Sequence, residues 1–449
     1  MYITEIEISD LRSFQGTHSV SLAHSDGGYA GWTVFAGRNG AGKSTLLKSI
    51  ALAVIGPLAS RSLAGTFNGW VRTGKKTGSV AVRLEGGKQD TFQPSGRTTK
   101  DPFWVGLQWT SAQQGTWSSQ STDFLDRWMV KEPKARQKIP DRGPWADSPS
   151  GWFIAGYGPY RHLGPPPAEV VKLSGDPVLA RLVNLFNETA TLSDAIDWLK
   201  QVHHRSLEKR AGAEDLKTTV LDILGEGLLP DGSVIKRVDS DGLWISRDGI
   251  ELPLEEVSDG YRTVAALVVD ILRRLHEAYG TLNISKDESG RSICNLPGVV
   301  IIDEVDAHLH VVWQQQIGFW LTETFPAIQF LVTTHSPFIC QAASANGIIR
   351  LPAPGDVRTI EHISDTTWSA VVNGGADDAV MTDLFGLDHA HSGRAEALRN
   401  ELAELEAIVI RNKASEQDIA RYEALKKRLG DDMSTLADRQ LRAILGSHG

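Results

Sequence analysis

The chain has 449 residues, 46 basic and 55 acidic, for a formal charge of −9. That length exceeds one ordinary core of roughly 250 to 300 residues and suits one large or two to three domains. A net-negative body excludes the uniformly basic surface that nucleic acid selects, so any DNA contact is local. Cys294 and Cys340 are too few for a disulfide framework or a four-thiolate zinc site, and they read as the small reduced hydrophobes of a cytoplasmic protein.

Residues 3–9 alternate apolar and polar side chains as a strand does, and the opening lacks the charged-then-apolar plan of a secretory signal. A second strand at 32–36 leads into a glycine-rich turn and an apolar-periodic helix carrying Leu46, Leu47, Ile50 and Val54. From 65 to 152 the composition shifts. Seven of the thirteen tryptophans (Trp70, Trp104, Trp109, Trp117, Trp128, Trp145, Trp152) stand among Gly, Ser, Thr and Gln with short β-like runs such as 79–84, which predicts a β-rich lobe. Residues 131–142, with two prolines and little apolar content, read as an exposed loop. Between 165 and 230 the apolar spacing is helical. After Glu255 a long helix to about 279 is followed by apolar strands at 299–302 and 328–333. The tail reads as a helical hairpin over 395–411 and 415–429, the second helix opening on Ser415 with Asp418 three residues on. The apolar runs 51–59 and 264–272 are interrupted by Pro57 and Asp270 and are too short to span a bilayer, so no membrane partner is expected.

Gly37-Arg38-Asn39-Gly40-Ala41-Gly42-Lys43-Ser44 fits G-x-x-x-x-G-K-[ST] between a predicted strand and a predicted helix. Backbone N–H groups of such a turn point at the β-phosphate, aided by the helix N-terminus that Thr45 continues. Lys43 bridges the β- and γ-phosphates of ATP, and the Ser44 hydroxyl takes one position on Mg2+. Four apolar residues at 299–302 then end in Asp303 and Glu304, a costly place for charge unless a metal or a reacting water stands opposite. Asp303 suits the Mg2+ shell, and Glu304, pointing elsewhere, suits the water that attacks the γ-phosphate. His335, at the end of the next strand, is a candidate donor to that phosphate. Other readings stand beside these. Asp303, Glu304, Asp306, His308 and His310 raise a zinc or two-metal hydrolase, although H-E-x-x-H spacing is absent. The tryptophans either stack unpaired bases or fill a core. The basic stretches 131–142 and 203–210 either track phosphates or are solvated charge.

Together these motifs resemble the ATP-binding-cassette ATPases, in the soluble branch related to SMC proteins, RecF and the OLD-type enzymes. Residues 255–262 look like that family's signature: Ser258 and Gly260 are kept, while Val257, Asp259 and Tyr261 replace Leu, Gly and Gln. The resemblance implies that Ser258 and Gly260 contact the γ-phosphate held by a second subunit in a head-to-tail homodimer or higher oligomer. It also implies that Asp306 is the D-loop residue and His335 the switch histidine. Residues 10–14 are similar to the RecF/SMC "FRSF" element, which implies that Arg12 lies near the nucleotide. Gln108 is the one candidate for the Q-loop. Residues 156–161 resemble a segment common in defence-type ATPases, where Arg161 either reaches the nucleotide or a partner or sits on a surface turn.

The expected fold is therefore α/β, an ABC-type P-loop head interrupted by insertions. The expected parts are core residues 1–64, a tryptophan-rich β lobe at 65–164, a helical insertion at 165–250, core residues 251–390 and a helical hairpin at 391–449. The stretch from Lys43 to Ser258 leaves no room for the long coiled coil of true SMC proteins. Neither an HNH pattern nor a Toprim acidic cluster follows Pro337, so the output is expected to belong to a partner. The chain resembles the PtuA-like ATPases of Septu and retron-associated anti-phage systems, which implies a partner nuclease of HNH (PtuB-like) type and a DNA or other phage-derived trigger. A RecF/SMC-like DNA repair ATPase and a nucleotide-sensing scaffold with negligible turnover are the alternatives.

Overall fold

The computed structural model describes residues 1–429 except 95, 97–98, 100, 112–122, 148, 166, 174, 357, 388–391 and 412; Trp117 lies outside the described residues. In chain order the strands are β1 (Tyr2–Ser9), β2 (Thr17–Ser21), β3 (Gly31–Ala36), β4 (Thr77–Glu85), β5 (Phe103–Thr110), β6 (Phe124–Arg127) and β7 (Ile154–Tyr157). They continue as β8 (Val234–Val238), β9 (Leu243–Arg247), β10 (Ile250–Pro253), β11 (Ile284–Lys286), β12 (Ser292–Cys294), β13 (Gly298–Ile302), β14 (Ile328–Thr333), β15 (Ile348–Arg350) and β16 (Glu361–His362). Two sheets carry the site. One is antiparallel in the order β2-β1-β4-β5-β6; the other is six-stranded in the order β16-β15-β3-β14-β13-β7, its four pairs from β15 to β7 parallel and its edge pair β15–β16 antiparallel.

Alternation along the strands divides the molecule into two cores. On β13, Val299 and Ile301 join the core shared with the antiparallel sheet and the helix Lys43–Ala64, whereas Val300 and Ile302 join the core on the other face. That second core is filled by the helices Ser193–Leu207, Asp259–Tyr279 and Val311–Thr324. A parallel strand covered on both faces has no solvent side, which is why its sequence is an unbroken apolar run.

The helix Lys43–Ala64 is long and apolar enough to pass as a membrane span, yet 67% of its apolar window is buried between the sheets. It kinks at Gly56, with φ 83°, just before Pro57. Proline has no N–H for the carbonyl four residues back, and that carbonyl, Ala53 O, accepts instead from Trp145 Nε1 at 2.9 Å. A Cβ on Gly56 would come within 2.6 Å of the same indole. Trp145 thus replaces the missing backbone donor.

The β-rich lobe expected at 65–164 is not free-standing. Its strands β4, β5 and β6 extend the sheet begun by β1, and β7 is an edge strand of the central sheet beside β13. Met1–Phe385 is one compact unit, and strand pairing, a long-range property, crosses residues 64, 164 and 250. The helical reading of 165–230 ends in a small antiparallel sheet, β8 to β10, whose last turn is Asp248-Gly249 with φ 50° and 82°. Both positive values mark a type I′ hairpin, the strongest short-range hairpin signal a sequence carries. The second unit, Gly386–Gly449, contains the helices Gly393–Ile410 and Glu416–Leu429, with Arg421 Nε paired to Glu401 Oε1 at 2.7 Å. Ser415 and Asp418 form the reciprocal capping pair: Ser415 N donates to Asp418 Oδ2 at 2.9 Å, and Asp418 N donates to Ser415 Oγ at 3.2 Å.

The two sheets are joined by one buried amide. β2 pairs with β1 only from Glu5 onward, which leaves Ile3 without a ladder partner on that side. Gln329, fully buried on β14, accepts from Ile3 N and donates to Ile3 O, both at 2.8 Å. Replacement by Leu would strand both backbone groups in a dry core. We expect Gln329→Leu to lower unfolding free energy by about 2 to 5 kcal/mol, read as a lower urea midpoint with unchanged slope; a midpoint equal to wild type would refute the tie.

Candidate functional site

The P-loop leaves β3 at the centre of the sheet and enters the helix Lys43–Ala64. Gly40 and Gly42 hold φ of 80° and 94°, the left-handed region that side chains resist. Gly42 also has no room: a Cβ there would overlap Ser13 Oγ and lie 2.7 Å from the Phe14 ring. Residues 13 and 14 of the N-terminal element therefore lie directly on the phosphate loop. The Ser13 hydroxyl is buried with no hydrogen-bond partner, a polar atom aimed at the cradle.

Lys43 is buried, and its ammonium donates to Gly37 O at 2.8 Å and Arg38 O at 3.4 Å. Burial lowers its pKa, opposed by the carboxylates of Glu304, Asp303 and Asp306, which face it. Lys48, one turn on, is lowered by burial and lies in the field of Asp303. The half-buried Ser44 hydroxyl and the Asp303 carboxylate make an oxygen donor pair of the kind Mg2+ takes, and the glycine cradle with Lys43 fits a polyphosphate.

The carboxylates are fixed by the neighbouring strand end. Thr333 Oγ1 donates to Asp303 Oδ1 at 2.6 Å and accepts from Glu304 N at 2.8 Å. Thr334 Oγ1 donates to Asp306 Oδ1 at 2.6 Å, and His335 N donates to the same oxygen at 3.3 Å. Asp303 is 2% exposed, Glu304 is half-buried and the His335 ring is exposed. Ser336 caps the short helix Pro337–Cys340 through Phe338 N at 3.2 Å, and His310 caps Val311–Thr324. Among the described residues no group of three His, Cys, Asp or Glu converges as a metal cluster. Burial raises the Cys294 thiol to about 11 and the Cys340 thiol further, which leaves both inert.

The structure thus brings Gly37, Gly40, Gly42, Lys43, Asp303, Glu304, Asp306 and His335 to one locus. It does not bring Ser258 there. That residue is exposed at the N-terminus of Asp259–Tyr279, its side chain makes no cap, and its backbone bonds stay within its own helix. Gly260 packs on the D-loop end instead, where an added Cβ would lie 3.1 Å from His308 O. Tyr261 fills the position of the missing glutamine, donating to Asp231 Oδ2 at 3.1 Å and resting on Trp313 at 5.4 Å. Arg12, with φ 46°, stacks its guanidinium on Trp70 at 4.7 Å. Gln108 is corrected as a Q-loop candidate: it is a ladder residue inside β5, opposite Ser79 and Asp126. In the basic stretch 131–142, Arg136 pairs with Glu132 at 3.3 Å and Lys131 pairs with Glu7. Trp70 and Trp109 stack at 5.1 Å inside the core, so they fill rather than bind.

Sequence reasoning missed two participants and left the place of a third, Arg161, open. Thr333 and Thr334 were signalled only as hydroxyls at a buried strand end, where each needs a partner. Arg161 is not on a surface turn. It is 3% exposed, and its guanidinium reaches the carbonyls behind Asp303 and Glu304. Burial lowers its pKa to about 10, opposed by Asp306, Asp303 and Glu304.

Two family models match: one described as "AAA domain" over residues 5–142, and one described as "AAA domain, putative AbiEii toxin, Type IV TA system" over residues 179–341. Their boundaries fall on the P-loop half and on the half holding the signature helix, Asp303 and His335. Both halves of the chain thus match AAA-domain models. Among similar proteins, a Septu protein PtuA of Bacillus mycoides (strain KBAB4) is 26% identical over 338 residues, 75% of this chain and 38% of that protein. A retron Vc95 probable ATPase of Vibrio cholerae serotype O1 biovar El Tor is 36% identical over 135 residues, 30% of this chain and 23% of that protein. The chain therefore spans well under half the length of these curated relatives. An SMC head bound to the C-winged helix domain of ScpA aligns over 82% of this chain and 99% of its own, at 17% identity and a TM-score of 0.46.

Gly42→Ala tests the cradle. Overlap with Ser13 and Phe14, plus backbone strain of order 1–3 kcal/mol, predicts at least about a tenfold loss of affinity for a fluorescent ATP analogue, with the circular dichroism spectrum unchanged. Affinity within twofold of wild type would refute the assignment.

Proposed function

We propose that this chain binds and hydrolyses Mg2+-bound ATP between two copies of itself, as the ATPase subunit of an anti-phage defence complex that controls a partner nuclease. One observation carries the composite site: the Lys43, Asp303 and Glu304 half is assembled within a chain, while the signature helix presents an uncapped, solvent-facing N-terminus elsewhere. Unpaired N–H groups at a helix N-terminus attract a phosphate, and here the phosphate would come from a second copy. In this reading Ser44 and Asp303 hold Mg2+, whose charge offsets that of the phosphate oxygens. Glu304 orients the attacking water and His335 donates to the γ-phosphate. Ser258 and Gly260 reach across to the partner's nucleotide, Asp306 lies at the seam, and Arg12 stands beside the bound nucleotide.

Such a site acts as a clamp, because γ-phosphate contacts exist only in the closed pair and hydrolysis removes them. The defence role is supported by the printed names of the relatives, Septu protein PtuA and retron ATPase. The nuclease partner is carried over from the resemblance to the PtuA-like ATPases.

Glu304→Gln keeps the shape of the site and removes the base. With ATP and Mg2+ its turnover is expected to drop by at least about 100-fold, and light scattering should show a stable dimer that the added substitution Ser258→Arg dissolves. A monomer at saturating ATP would defeat the composite site. Affinity capture from the native locus should recover a nuclease; DNA-stimulated turnover without one would favour the repair alternative instead.

A further inference from the structure

Arg161 has no part in the scheme so far, yet it is the most elaborately bonded side chain near the site. Nη1 donates to Gly158 O at 2.9 Å and Asp303 O at 3.3 Å; Nη2 donates to Glu304 O at 3.2 Å, Val305 O at 3.3 Å and Ala307 O at 3.1 Å. Four of these five acceptors belong to the stretch that carries Asp303, Glu304 and Asp306. That stretch includes Glu304 at φ 47° and leads to His308 at φ 66°, both left-handed without being glycine. Such a conformation is strained and persists only where its surroundings over-determine it. A planar guanidinium with donors in a fixed fork can hold several converging carbonyls; an ammonium with three donors around one atom cannot.

The loop carrying Arg161 is tied at its other end to the signature helix. Tyr157, the last residue of β7, donates its hydroxyl to Asp270 Oδ2 at 3.0 Å, and Asp270 is paired with Arg274 at 3.4 Å on the same helix. Between the two lies a cavity of about 130 Å³ lined by Arg161, His162, Asp259, Arg262 and His308.

We propose that Arg161 is a positioning residue of the ATPase reaction: by fixing the carbonyls from Asp303 to Ala307 it aims the Glu304 carboxylate, and the Tyr157–Asp270 bond links that aim to the signature helix. The proposal rests on the chain hydrolysing ATP. Its test is Arg161→Lys in the full-length protein. A misaimed base predicts that kcat falls about 100-fold while affinity for an ATP analogue stays within about threefold, since the P-loop is untouched. On the Glu304→Gln background the same change should remove less than a further threefold or so, because both act through one group. A kcat unchanged by Arg161→Lys overturns the proposal, as does an additive loss in the double variant or a matching loss of affinity. Absence of turnover in the wild-type chain overturns the proposal and the hydrolytic reading together, which distinguishes the two failures. If Arg161→Lys does not fold, Gly158→Ala, whose Cβ would come within 2.7 Å of Asn184 O and shift the loop, must reproduce the kcat-only loss; an unchanged kcat there also overturns the proposal.

Discussion

Thr333 Oγ1 has one proton and two lone pairs, and the site spends them on the two adjacent carboxylate residues: the proton on Asp303, a lone pair on the Glu304 N–H. This arrangement depends on the parallel register of β13 and β14, which pairs Ile302 with Val332 and so brings both strand ends to the same level. A slip of one residue would send every side chain to the opposite face. The apolar residues 299–302 would then trade cores, and the carboxylates would lose their hydroxyl partners in a place closed to water. Hydrophobic sorting between two cores therefore holds the polar chemistry in place.

From that fixed edge the rest of the site is reached in both directions along the central sheet. On one side β3 delivers the P-loop, with Gly42 pressed beneath Ser13 and Phe14, so the antiparallel sheet is part of the phosphate cradle and not an appendage to it. On the other side β7 delivers Arg161 behind the carboxylates and Tyr157 onto the signature helix. Apart from the Ser13 hydroxyl, the buried polar groups named around these junctions are paired, as low dielectric demands. Gln329 joins the sheets, Trp145 satisfies the carbonyl freed by Pro57, and the guanidinium of Arg161 gathers carbonyls from a backbone that turns the wrong way for L-residues.

Much of this was legible in the chain itself. The phosphate loop, the apolar strand ending in Asp303-Glu304, the long helix after Ser258 and the tail capping pair Ser415/Asp418 are local patterns, each specified within a dozen residues. Other features were legible only in part. Asp248-Gly249 advertised a hairpin within a stretch read as helical, and the hydroxyls of Thr333 and Thr334 advertised a need for partners without naming them. The segmentation into lobes was not legible, because a shift in composition near residue 65 says nothing about which strand a new strand will pair with.

The sequence by itself determined the groups on offer, a glycine-rich phosphate-loop motif, a carboxylate pair at a strand end and a histidine at the next, because backbone turns and short spacings dictate those groups directly. Only the tertiary structure decided that β4 to β7 belong to the head, that Arg161 is buried behind Glu304, and that Ser258 stands away from the phosphate loop of its own chain. Those facts rest on contacts between residues distant in the chain, where the free energy of burying apolar faces and pairing buried polar groups, and no local preference, selects the neighbour.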